Sequence, residues 1–393
     1  MTTNANSDPR KTFLYDKRLL IDIFKGLAVS QVILFHSIFS FSSLSQKNGA
    51  NIISSTISLA EYFKFGPFIF FVISGFLMST LYGSNLLRLE SKTSGLIVRD
   101  FYVKRFARIY PLWIIFLFLS YIFFKLFNYG YFSLTMSYLK STNELYLLTI
   151  GATFIYYFIS AAAAGWLVPG GWSIVAEIIF YITFPTLRRM TINSLLFIST
   201  TLITLCYVLK YLAYHNFVII EKTSLIYAII YGGLESTIPF FLLGIIIGEV
   251  VRYRPKLMTV FNNKLFLFNI TLMLFCLILI DNSSGPNSKT ITMIITTYFL
   301  GCLISKNRYT SNFFSLMGSK CYFIYFIHFY LIDLFASITD QFKPIFINNF
   351  LTNTLLIVIF QIFTVIVSLV LALLSSKFIE NPLQKFILRK FIN

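Results

Sequence analysis

The chain has 393 residues, of which 57% are hydrophobic and 12% charged, with 46 Phe and 24 Tyr. That balance excludes an ordinary soluble domain and points to a chain that crosses a lipid bilayer many times. The formal net charge of +17 is no nucleic-acid footprint, because the cations are spread over short loops between apolar runs and not gathered into one patch.

The first 17 residues are polar and read as a cytoplasmic tail. The apolar run 19–41 is longer than a signal-peptide core and lacks a small-x-small exit, so it reads as an uncleaved first span. A bilayer core of ~30 Å needs about 20 apolar residues in a helix. Further spans are expected at 65–83, 109–127, 172–187 (a short one), 194–214, 225–250, 265–281, 290–304, 321–339 and 352–376. Charge decides the one remaining apolar stretch, 145–160. With ten spans the inside segments carry 23 of the 32 Lys and Arg, and the outside loops only Lys47, Lys64, Lys140, Lys222, Lys289 and Lys343. An alternation over ten spans with this charge split obeys the positive-inside bias, and counting 145–160 as a span would invert every later loop. That stretch is therefore expected to pack on the outer side or to re-enter. The expected fold is all-α, a polytopic membrane helix bundle of about 10 transmembrane helices with both termini cytoplasmic. Residues 1–18 form one tail, 19–376 the membrane domain and 377–393 the other tail, which leaves no room for an appended soluble domain. Cys206, Cys276, Cys302 and Cys321 lie scattered, with no C-x-x-C pair, and suggest neither disulfides nor a metal site.

The first span reads RLLIDIFKGLAVSQVILFHS over 18–37. At 100° per residue, Arg18, Asp22, Lys25 and His36 fall within a wedge of roughly 60°. A charge at the bilayer centre costs at least ~2.5–3.5 kcal/mol, so such a stripe is expected to face a bundle interior or a wet cavity. Arg18 and Asp22 have the i,i+4 spacing of an interfacial ion pair. His36 lies ~16 Å further along the helix. It is either a hydrogen-bonded packing residue or a proton carrier, and the stripe below it favours the second.

Ser74–Gly75 in FFVISGFLM is a small-residue helix contact or, for Ser74, a hydrogen-bond donor to a ligand. In YVKRFARIYP, Arg105 and Arg108 are i,i+3. They are topology signals, or a pair of guanidinium forks suited to phosphate. In GGWSIVAEIIFYITFP, Ser173, Glu177 and Tyr181 share a helix face, and Glu177 is an acid inside an apolar run. Glu235 is a second such acid in weaker context. Tyr322, Tyr325 and His328 in KCYFIYFIHFYLID are an aromatic packing stripe or a polar face. KFIENPLQK, with Glu380 and Pro382, reads as a helix terminus.

In order along the chain, these blocks resemble the membrane acyltransferase-3 family, which modifies bacterial envelope glycans. The resemblance rests on Arg18, Asp22, Lys25, Gly26, Ala28 and His36; on Phe70, Phe71, Ser74, Gly75 and Phe76; on Arg105, Arg108, Ile109 and Pro111; on Trp172, Ser173, Glu177, Phe180 and Tyr181; and on Tyr322, Tyr325, His328, Glu380 and Pro382. Lys25 stands where the family usually carries Arg, so charge is kept and the bidentate fork is lost. Ile23–Phe24 replaces the common Gly-Leu.

The resemblance implies an integral O-acyltransferase of the bacterial inner membrane. It would move an acyl group, acetyl by default, from cytoplasmic acyl-CoA to a hydroxyl of an envelope glycan, with no metal and no nucleic-acid partner. His36 would be general base or transient acyl carrier, with Glu177 and Asp22 supporting it. Arg105 and Arg108 would grip CoA phosphates. Lys25, Ser74 or a tyrosine would stabilise the developing oxyanion. Arg18, Trp172, Ser173, Tyr181, Tyr325 and His328 are substrate-pocket candidates. A flippase or exporter of a lipid-linked glycan is the rival class, and a scaffold of an envelope-synthesis complex a blander third.

Overall fold

The computed structural model describes residues 9–47, 65–87, 94–127, 143–154, 167–191, 193–195, 197–198, 201, 205, 208, 212, 234–253, 288–304, 310–341 and 350–392. Every regular element among them is helical. In chain order these are α1 (Pro9–Lys47), α2 (Gly66–Leu87), α3 (Ser94–Phe127), α4 (Glu144–Ala152), α5 (Gly171–Leu187), α6 (Leu234–Tyr253), α7 (Ser288–Ile304), α8 (Phe313–Ser319), α9 (Cys321–Gln341), α10 (Phe350–Ser375), a π-helical turn (Ser376–Glu380) and α11 (Asn381–Phe391).

Among the described residues three stretches, Lys17–Ser40, Gly95–Leu126 and Ile357–Phe391, are long and apolar enough to cross a membrane. Gly66–Tyr82, Gly171–Leu187, Thr237–Glu249 and Cys321–Phe335 are shorter apolar helices. The expected span 265–281 lies outside the described residues, as does most of 194–214. The chain divides into two compact units, Met1–Leu81 with Ile247–Leu373, and Tyr82–Ile246 with Leu374–Asn393.

In the first unit, α1 packs chiefly on α8 and α9 and more lightly on α7. Two glycines allow the α1–α8 backbones to touch. A Cβ at Gly26 would collide with the Phe314 carbonyl, and one at Gly318 with the Asp22 carbonyl. Ser30, one turn after Gly26, donates to the Gly26 carbonyl at 2.8 Å and reaches Met317 Sδ at 3.6 Å. Asn312 caps α8 through a reciprocal box with Ser315, which satisfies the orphan amides of a helix too short to propagate unaided. Lys17 Nζ donates to the Cys302 carbonyl in the last turn of α7 at 3.3 Å, where the helix dipole favours a cation. A Cβ at Gly66 would stand 2.6 Å from the Ala28 carbonyl, so the start of α2 sits directly on α1. Phe24, Phe76 and Phe299 form an aromatic node, with centroids 4.8 and 5.7 Å from Phe299.

In the second unit, α3 runs beside α4, α5, the π turn and α11. Trp113, fully buried, donates to the Gly151 carbonyl at 2.9 Å. Lys125 and Tyr121 hold Glu144 at 2.6 and 2.7 Å. The Lys125 ammonium, and after it the Tyr121 hydroxyl, keep the Glu144 carboxyl below the usual carboxylate range. Within the stretch 145–160 the described part is α4 and its C-cap. At nine residues this helix is about 14 Å long, under half a bilayer.

Three expectations need correction. The chain does not stop its helix at Glu380. The π turn re-registers it, the Asn381 amide donates to the Ser376 carbonyl five residues back, and Pro382, which has no amide to donate, stands in the first turn of α11. Helices α1 and α3 begin at Pro9 and Ser94, well before the apolar runs at 19 and 109. Their charged leading turns are polar without being helix breakers, so nothing in them ends the helix. Finally, the segment 305–320, read as a loop, contains α8.

Candidate functional site

The stripe on α1 is partly as expected. Asp22 and Lys25 form a 3.2 Å ion pair with each side chain only 13% exposed. Arg18 approaches Asp22 at 4.0 Å, yet its side chain is 76% exposed. It therefore lies outward at the edge of the helix bundle, as long cationic side chains do when a polar medium is in reach. Asp22 and Lys25 neutralise each other, which removes the main cost of placing either in an apolar span. Because Lys25 is about 16 Å from His36 along α1 and is held by Asp22, it does not reach an oxyanion formed at the imidazole.

His36 is half-buried. Its ring packs against Phe329 at 4.4 Å and against His328 at 5.5 Å between centroids. His328, on α9, is fully buried. Its Nδ1 lies 3.1 Å from the Ile324 carbonyl one turn back. Tyr325 is also buried, 6.0 Å from His328 and 6.3 Å from Phe70 of α2. Ser74 stands one turn beyond Phe70 and is half-buried. The fold thus brings His36, Tyr325 and His328 together, and it places α2 beside Tyr325.

A second cluster lies in the other unit. The Arg105 guanidinium sits 5.0 Å from the Tyr82 ring centre, 5.9 Å from Phe101 and 5.5 Å from Tyr181. Its Nη2 donates to the Tyr82 hydroxyl at 2.9 Å. Three aromatic faces around a guanidinium hold it by cation–π attraction while leaving donors for a ligand. Its buried Nε has no hydrogen-bond partner among the described residues. Tyr181 donates to Glu177, so this acid steadies a wall of the Arg105 cage. Arg108, one turn on, is exposed. Ser173 is buried and donates to the Gly170 carbonyl at 2.9 Å. Its hydroxyl closes the first turn of α5, and Trp172 beside it is half-buried.

Two polar residues escaped the sequence reading. Glu249 is 5% exposed and accepts a 2.6 Å hydrogen bond from Ser79. A Cβ at Gly248 would stand 2.7 Å from Ser79, so the glycine is what brings α6 close enough for that bond. The signal was present as a single acid in IIIGEVV, at the end of an apolar run where it reads as an edge residue. Arg188 is 5% exposed at the end of α5 and had counted only as a topology charge. The Glu235 side chain lies outside the described ones. The described residues hold no cluster of His, Cys, Asp and Glu able to take a metal ion.

Apolar helices that bring two imidazoles together and cage a guanidinium make up a membrane-embedded helical protein. A family model described as "Acyltransferase domain" (Acyl_transf_3) matches residues 18–373. The chain therefore belongs to the acyltransferase-3 family and is a membrane acyltransferase. No curated protein and no solved structure matches it.

Proposed function

We propose that the protein is an O-acyltransferase of the bacterial inner membrane that moves an acyl group, acetyl in the simplest case, from cytoplasmic acyl-CoA to a hydroxyl of an envelope glycan. The observation that carries this reading is His36. It is a half-buried imidazole packed against a second imidazole within apolar helices, inside a region matched by the acyltransferase family. About ten spans with both termini cytoplasmic would put the donor on the side rich in Lys and Arg.

In this reading His36 takes the proton of the acceptor hydroxyl as the oxygen attacks the thioester carbonyl. Arg105, with an aromatic cage and an Nε suited to an oxyanion, grips CoA phosphates beside the exposed Arg108. Glu177 acts on Arg105 through Tyr181. Lys25, steadied by Asp22, binds a donor group away from the reacting carbon. The oxyanion falls to Tyr325, whose ring centre is 6.0 Å from that of His328, or to Ser74 on the helix beside Tyr325. A donor on one face and a glycan on the other is a reason to place the base within the membrane. The test is transfer of label from [14C]acetyl-CoA to the glycan fraction of membranes holding the protein. His36→Ala at normal membrane abundance is expected to abolish it, and activity above about a tenth of wild type, roughly 1.4 kcal/mol of lost transition-state stabilisation or less, removes His36 from the mechanism. A transporter would leave no label on the glycan.

A further inference from the structure

We propose that His328 is the positioning residue of His36, so that the two rings act as a dyad in which a second imidazole holds the place a carboxylate holds in other acid–base sites. This rests on the acyltransferase reading of His36 above.

The tautomer of His328 follows from its partner. Nδ1 lies 3.1 Å from the Ile324 carbonyl. A carbonyl only accepts, so Nδ1 carries the hydrogen, and the lone pair of the neutral ring is on Nε2. That Nε2 is buried and has no hydrogen-bond partner among the described residues, an arrangement native interiors usually avoid. Two titratable rings lie beside His328: His36, with centroids 5.5 Å apart and planes at 45°, and Tyr325, with centroids 6.0 Å apart. A ring nitrogen lies roughly 1.2 Å from its ring centre, so two nitrogens facing each other across this spacing stand roughly 3 Å apart, a hydrogen-bond distance, and the dyad has His36 turn to that geometry while His328 keeps its place on the Ile324 carbonyl. Phe329 packs on both rings, at 4.4 Å from His36 and 4.1 Å from His328, which opposes their separation.

The dyad then works as follows. His36 donates its N–H to His328 Nε2, which directs the lone pair of its other nitrogen to the acceptor hydroxyl. The O–H bond breaks and its proton joins His36. The oxygen pair forms the C–O bond to the thioester carbon. The C–S bond breaks, its pair leaves on sulfur, and the proton passes from His36 to that sulfur to give the CoA thiol. While His36 is imidazolium, its charge is shared along the N–H···Nε2 bond into a ring already anchored on a carbonyl. The cation is thereby stabilised with neutral groups alone, where a buried carboxylate would carry a desolvation cost of its own.

A ring that merely packs would be replaced by phenylalanine with little effect, which makes the idea testable. Membranes containing the full chain and its endogenous acceptor are supplied with [14C]acetyl-CoA, and rates are taken across donor concentrations. His328→Phe is expected to lower kcat at least 100-fold with the acetyl-CoA KM within twofold. His328→Gln, whose amide oxygen restores an acceptor near the Nε2 position, is expected to recover at least a tenth of wild-type kcat. If the Phe variant does not accumulate in the membrane, His328→Asn decides. It keeps a donor for the Ile324 carbonyl and lacks the Nε2 acceptor, so a 100-fold loss is expected again. A Phe or Asn variant within threefold of wild type, or equal losses for Phe and Gln, overturns the dyad. An active His36→Ala variant overturns the reading beneath it; a silent His36→Ala beside an active His328→Phe overturns the dyad alone.

Discussion

Replacing Gly26 with alanine should damage this protein far more than its chemistry suggests. Alanine is the best helix former and, at an exposed helical site, gains up to about 1 kcal/mol over glycine. At position 26 the new methyl would be driven into the Phe314 carbonyl, with the carbonyl carbon 2.7 Å and the Cα 2.9 Å away. These are backbone atoms of a capped helix and have no rotamer to give way. The helices α1 and α8 must separate or shift. Overpacking of a core costs about 1–3 kcal/mol, and with backbone as the obstacle the upper end applies. A domain of 150–250 residues loses about 2–4 °C per kcal/mol and a longer chain less, so the midpoint in detergent should fall by roughly 5 °C. Gly95→Ala supplies the control, since nothing lies within 4 Å of a Cβ there; its midpoint should hold or rise slightly. Thermal unfolding of both variants, purified side by side, measures the difference. Equal midpoints for Gly26→Ala and Gly95→Ala would refute the claim that α1 and α8 touch through their backbones.

Arg105→Lys keeps the charge and loses the planar fork, so the KM for acyl-CoA should rise at least tenfold, about 1.4 kcal/mol, with kcat changed less; saturation kinetics in membranes report it. Ser79→Ala leaves the buried Glu249 without the 2.6 Å bond it accepts and should cost about 1–3 kcal/mol, read as a lower unfolding midpoint that Ser79→Thr partly restores. The hold of Lys125 and Tyr121 on Glu144 depresses that carboxyl from its ordinary value of 4.5. A depressed carboxylate stabilises the fold above its unfolded pKa and loses that contribution as pH falls through the folded one. The contact between α3 and α4 should therefore be unaffected at neutral pH and loosen below about pH 4.5, with hydrogen exchange at α4 amides accelerating there and Glu144→Gln abolishing the change.

Sequence legibility follows the reach of each interaction. The apolar runs behind α2, α5, α9 and α10 were visible because membrane-length hydrophobicity is a local, additive property. The leading turns of α1 and α3 were not, since a polar helix carries no apolar period and ends only where something stops it. Helix α8 was missed for its brevity, although Asn312-x-x-Ser315 is a local capping signal. The ionisable residues were legible one at a time. Their partners were less so. Asp22–Lys25 is an i,i+3 pair on one helix, so spacing alone brings both ends together. The His36–His328 contact joins α1 to α9, and the Arg105 cage joins α2, α3 and α5; neither can be read before the helices are packed. The same limit applies to Lys25 and His36, because a helical wedge gives azimuth and leaves unused the ~16 Å of rise between them.

The polar groups inside this chain are distributed by what lipid permits. An ion there needs a counter-ion or a donor, and the fold supplies them: Lys25 to Asp22, Ser79 to Glu249, Tyr181 to Glu177. Each of these groups is occupied in the resting protein by a partner that a substrate would have to displace. Histidine is different, because an imidazole can rest neutral near pH 7 and become charged only while a proton is in transit. A pair of imidazoles with one nitrogen anchored on a carbonyl therefore avoids the standing cost that a carboxylate–histidine pair would carry in the same place. In the mechanism we propose, that difference is why the reacting role falls to His36 and the ion pairs serve as scaffolding and donor grip.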